Sequence, residues 1–232
     1  MPQKHVVLTL FALSAALLLV VGLLPVHAAA VLVQQNNAAC LGCSSRLSVS
    51  FPSNVASGDL LVVGVVVGEA SFALSSLSDS LGSSFTQAVA STSAPPPIVY
   101  IYYATLYKSG AEVVTAAFTA AAPAESIYIY EVSGVKTAGL ATATGSGTGT
   151  LISTSSSVSF QAGAFLLGVI GMNSFGGNAT AGTGFSINID NSGRGVAYAQ
   201  YSIPGVPSTT SFQAATTSAV SWAEDAIALM PS

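Results

Sequence analysis

Charge is what this sequence has least of. Asp, Glu, Lys and Arg make up 6% of its 232 residues, against roughly 25% in an ordinary soluble domain. The five Lys and Arg form no cluster, and the net charge is −4. Nucleic-acid binding needs clustered basic residues, so that class is excluded. A surface with so few ionisable groups is expected to respond weakly to pH, which hints at acidic or otherwise harsh surroundings. Histidine is scarcer still: the two present are His5 and His27. Long apolar runs are also missing past residue 24, where Gly, Ser, Thr or Pro interrupts every one. No second segment there reaches the ~20 residues a spanning helix needs. No long amphipathic helical pattern appears, and the 51% hydrophobic content argues against disorder.

Residues 1–28 read as a secretory signal peptide. Lys4 and His5 give a positive start, Val6 to Leu24 an apolar core, Pro25 a break, and Val26-His27-Ala28 a small-residue cleavage site, with Ala30 a second option. The alternative is a retained anchor helix. A type IV pilin leader is set aside, because no Lys-Gly or Arg-Gly step precedes the apolar stretch. After cleavage the chain would be secreted, free of the membrane and without histidine. That removes Ser-His-Asp and Cys-His catalysis and imidazole-based metal sites.

What remains is written for β-structure. Leu60 to Val67 is apolar on both faces and rich in β-branched residues, the pattern of a strand buried on both sides. It follows Ser48-Val49-Ser50-Phe51 and Gly58. The chain repeats this unit as Ser157-Val158-Ser159-Phe160, Gly163 and Phe165 to Ile170. Two copies suggest a two-sheet body with one central strand from each half. Strand and turn signals recur every 8–12 residues, the spacing of a sandwich or barrel. Residues 126–132 alternate, with Tyr128, Tyr130 and Val132 on one face and Ile127, Ile129 and Glu131 on the other. Residues 142–157 read as a long loop or a weak edge strand. Asn188 to Gly193 closes a hairpin answered by Val196 to Tyr201, and Ser221 to Met230 is the last strand.

Few residues offer chemistry. Val31-Leu32-Val33-Gln34-Gln35 reads as a short strand ended by Asn36-Asn37. An apolar strand at a chain end either pairs with its own sheet or inserts into a neighbour's. Cys40 and Cys43, the only cysteines, are expected to form a disulfide in a secreted chain. Asn178-Ala179-Thr180 is a glycosylation sequon. The nine acidic residues, Asp59, Glu69, Asp79, Glu112, Glu125, Glu131, Asp190, Glu224 and Asp225, fall mostly at turns and strand ends, where solvated roles are expected. Adjacent Glu224 and Asp225 on a strand point to opposite faces and cannot act as a pair. No catalytic constellation emerges. No cofactor or metal is expected, and the chain reads as a non-enzyme.

The layout of Val31 to Gln35, Ser48 to Phe51 with Gly58 to Val67, and Trp222 to Met230 resembles the secreted subunits of archaeal surface threads and bundling pili. That resemblance implies an all-β, jelly-roll-like two-sheet sandwich over residues 46–232, a donor strand and Cys-containing linker over 29–45, and a signal-peptide helix before them. It implies a homopolymer in which Val31, Leu32, Val33, Gln34 and Gln35 complete the neighbouring subunit, with glycans as possible further partners. The rival is a monomeric carbohydrate-binding or adhesive module with Tyr128, Tyr130 or Trp222 as stacking residues.

Overall fold

The computed structural model describes residues 27–42, 45–69, 71–91, 97–121, 124–173, 179–189 and 197–232. The expected signal peptide apart from His27 and Ala28, and Cys43, Asn178 and the expected turn from Asp190, lie outside them. Among the described residues there are only strands and connections, with no helix.

The expected all-β sandwich is borne out, and it is built twice. The first repeat runs from β1 (Val31–Leu41) through β2 (Arg46–Ser50), β3 (Leu60–Val67), β4 (Leu74–Asp79), β5 (Thr86–Ser91), β6 (Ile98–Thr105) and β7 (Val113–Phe118) to β8 (Ala124–Ser133). Its larger sheet has the order β1-β8-β3-β6-β5 and its smaller one β2-β7-β4. Gly134, at φ 69°, turns the chain straight into the second repeat. That comprises β9 (Val135–Ser153), β10 (Val158–Phe160), β11 (Phe165–Met172), β12 (Ala179–Ala181), β13 (Ser186–Ile189), β14 (Ala197–Ser202), β15 (Ser208–Thr210) and β16 (Gln213–Pro231). Here β16 pairs with β9 and β11, β11 with β14, and β14 with β13, while β10 pairs with β15. Adding eight to each first-repeat label reproduces this wiring except at β12, which pairs β16 where β4 pairs β7. Every pairing is antiparallel, and placing strands 1, 8, 3 and 6 in one sheet and 2, 7 and 4 in the other is jelly-roll connectivity.

The two larger sheets face each other. Between them lies the central core, where Val62, Val66, Tyr128 and Tyr130 meet Phe165, Leu167, Val169 and Ile227. The expectation of a central strand from each half holds: every residue of β3 and β11 is buried. One feature differs from a plain two-sheet body. The smaller sheets cover the outer faces, β2-β7-β4 over Leu61, Val63 and Ile129 and β10-β15 over Leu166, Ala226 and Ala228. Four layers result. This is why β8 carries apolar side chains on both faces, Ile127 and Ile129 facing out, Tyr128 and Tyr130 facing in.

The leading strand belongs to the body, which therefore starts before residue 46. The polar pair Asn36-Asn37 does not end it, since β1 runs eleven residues to Leu41. The stretch 142–157 is an edge strand, the later part of β9 as far as Ser153.

Candidate functional site

Three features carry polar chemistry: the leading strand, a set of buried carboxyls, and a cleft in the second repeat.

β1 is an edge strand laid antiparallel on β8, from Val31 opposite Ser133 to Leu41 opposite Ala124. A bulge between Leu32 and Gln34 resets the alternation. Leu32 packs on the central core, whereas Val31 and Val33 are 54% and 48% exposed. The register is fixed by side chains. The Gln34 carboxamide donates to Glu131 Oε2 at 2.6 Å and to the Ser53 carbonyl at 3.2 Å. Its oxygen accepts the Ser53 N–H at 3.1 Å. Gln35 Oε1 accepts Asn188 Nδ2 at 2.8 Å, and the same amide reaches Tyr130 Oη at 3.2 Å. Asn36 Nδ2 donates to the Ser50 carbonyl at 2.7 Å. A one-residue slip would break all of these and turn Leu32 to solvent. Of the two fates open to this strand, the single chain takes pairing with its own sheet. Cys40 is disulfide-bonded; Cys43 lies outside the described residues.

The carboxyls correct the sequence reading. Glu112, Glu125, Glu131, Glu224 and Asp225 are all buried, not solvated at strand ends. Glu131 sits beneath β1, where its Oε1 also accepts the Ala56 N–H at 2.6 Å. Burial, and then Glu131 beside it, raise the Asp59 pKa. Glu224 and Asp225 point to opposite faces, as strand geometry requires. On the outer face Glu224 accepts Gln200 Nε2 at 2.9 Å. On the inner face Asp225 crosses to the first repeat, accepting the Ser91 N–H at 2.8 Å and a short bond from Ser91 Oγ. Burial pushes Glu224 up to about 8 and Asp225 to about 7, although these neutral donors pull the other way. Glu112 is raised by burial and then by Asp79, against bonds from Ser80. Among the described residues, no three His, Cys, Asp or Glu side chains group to hold a metal.

The proposed stacking aromatics are core residues. Tyr128 and Tyr130 are 0% exposed and Trp222 9%, which overturns a sugar platform made from them. The cleft, of about 330 Å³, lies elsewhere and is lined by hydroxyl side chains of the second repeat around Phe185. Compared with protein families, curated proteins and solved structures, the chain has no significant match.

Proposed function

We propose that the chain is a structural, non-catalytic subunit of an extracellular filament, exported by its leading segment and joined to copies of itself through β1. The observation that supports this best is how β1 is held. It is a terminal edge strand with one ladder partner, yet it carries a polar triplet that fits one register of one slot. In the single chain that slot is filled in cis. In the filament a neighbour's β1 fills it by exchange, making the same bonds to β8, Glu131, Ser50 and Asn188. Exchange between identical chains conserves the contacts, and a head-to-tail exchange that does not close propagates as a fibre. The connection from Leu41 to Arg46 is short, and short hinges favour swapping.

A cross-strand lock tests this. Val31 and Ser133 are opposite in register and lie near the surface. Val31→Cys with Ser133→Cys, oxidised at low concentration, ties β1 to its own β8. The parent chain is expected to form fibres on concentration, seen by electron microscopy, with or without reductant. The locked chain is expected to stay monomeric until reduced. Fibres from the oxidised variant, or a parent chain that stays monomeric at every concentration, would sink the proposal.

A further inference from the structure

One difference between the two repeats opens the cleft. In the first repeat the outer strand β7 is covered by β4 from Leu74, opposite Phe118, to Asp79, opposite Val114. In the second, β12 pairs Ala181 with Ala214 and the chain then turns at once. Superposing the units Val49-Ser50-Phe51 and Val158-Ser159-Phe160, whose partners are Val114 and Thr210, makes Phe118 equivalent to Ala214. Both repeats then enter the next strand by a matching turn, Gly82-Ser83-Ser84-Phe85-Thr86 and Gly182-Thr183-Gly184-Phe185-Ser186. Leu74 to Phe85 takes eleven steps and Ala181 to Phe185 only four, so the second repeat lacks seven residues here. Those residues are most of a covering strand.

In the first repeat the equivalent space is occupied. Ser80 N–H and Oγ donate to Glu112 Oε1 at 3.1 Å each. Asp79 Oδ1 accepts the Gly82 and Ser83 N–H groups at 2.6 and 2.7 Å, and Lys108 Nζ caps the Leu81 carbonyl at 3.1 Å. In the second repeat the space is open, and no described residue that lines it is charged. Ser157, Thr183, Thr209, Ser211 and Gln213 present hydroxyls and an amide. Phe185 borders the cleft with its ring packed 5.1 Å from that of Phe212.

We propose that this cleft binds a neutral sugar unit of a glycan. Hydroxyls and an amide can each donate and accept, as a polyol requires. Among the described residues, the lining carries no cation for phosphate or uronate and no carboxylate for an amine or metal. An added β-strand fits less well. β15 is three residues long, and the hydroxyl lining gives alternating apolar side chains nowhere to pack. The site is separate from β1 and does not depend on the filament reading.

The test is an NMR titration of the full chain with mannotriose, maltotriose, cellotriose and, as a charged control, trigalacturonate. At least one neutral trisaccharide is expected to bind with a Kd on the order of 1 mM. Amide shifts should fall on residues 182–185 and 209–213. Thr183→Val with Gln213→Ala, both exposed, should weaken binding at least about tenfold at unchanged melting temperature. Ser83→Ala in the filled repeat should bind as the parent does. The proposal is overturned if no neutral probe shifts these amides, if the double variant binds equally well, or if trigalacturonate or a peptide of residues 29–41 binds there instead.

Discussion

Thermal unfolding followed from about pH 3 to about pH 8.5 is expected to show a protein most stable in acid, losing stability steadily as the pH rises. Glu224 and Asp225 carry the effect. Each has its folded-state pKa raised, to about 8 and about 7, first of all by burial. Between the ordinary carboxyl range and those values, the folded chain holds protons that the unfolded chain has released. Stability therefore falls with pH across that window, is complete below about pH 4, and stops falling above about pH 8. Glu112 and Asp59 are raised in the same direction and steepen the loss.

A tenfold difference in proton affinity between the folded and unfolded chain is worth about 1.4 kcal/mol. On that scale the two core carboxyls together are expected to remove on the order of 9 kcal/mol between those limits. For a chain of this length that is a fall in Tm of roughly 20–35 °C. Glu224→Gln with Asp225→Asn keeps neutral partners for Gln200 and Ser91 and should flatten the profile, chiefly by raising Tm at pH 8. An ordinary acid-denaturation profile, with stability rising from pH 4 to pH 7, would contradict this account. So would a double variant with the parent's slope. The buried carboxyls predict the opposite of the weak pH response expected from a charge content of 6%, because composition counts ionisable groups, whereas burial decides what their titration does.

Much of the body can be read from local pattern. β3 and β11 announce themselves because strands buried on both faces need no alternation, and the repeated Ser-Val-Ser-Phe unit marks the second strand of each half. The alternation of residues 126–132 is also plain, but it does not say that both faces are core. That requires an outer sheet on each half, and the outer strand β4, with sequence LSSLSD, has no run of β-branched residues to announce it. The site residues are hidden for a different reason, since their partners are distant in sequence. Gln34 meets Glu131 across 97 residues, Gln35 meets Asn188 across 153, and Ser91 meets Asp225 across 134. Without those partners, Gln34 to Asn37 looks like the end of a strand and the acids look solvated. The cleft is a deletion between repeats. The signal that could have found it is the shared Gly-x-x-Phe turn, which aligns the halves and exposes the seven missing residues.

The second large effect is expected where the halves meet. Gly64 and Val169 are each the fifth residue of their strands, β3 and β11, and they touch across the central core. A Cβ built on Gly64 would stand 2.6 Å from Val169 Cγ2. Two positions further on, at the seventh residue of each strand, the arrangement is inverted. There Val66 belongs to the first repeat and Gly171 to the second, whose Cβ would stand 2.8 Å from Val66 Cγ1. Equivalent positions of the two repeats thus meet each other, one large and one absent side chain each time. Close approach of the sheets depends on that complementarity, because a packed core has no room for both side chains. Gly64→Val places two β-branched groups in one space and is expected to destabilise by about 3 kcal/mol, lowering Tm by roughly 6–12 °C. Val169→Gly alone leaves a void and is expected to lose about 2–4 kcal/mol. Combined, the two exchange large for small and reproduce the sense of the Val66–Gly171 pair. The double variant should therefore be more stable than the sum of the single losses by at least about 2 kcal/mol, a coupling typical of residues in direct contact. Additive losses in the double-mutant cycle would mean that the two repeats do not pack through these positions.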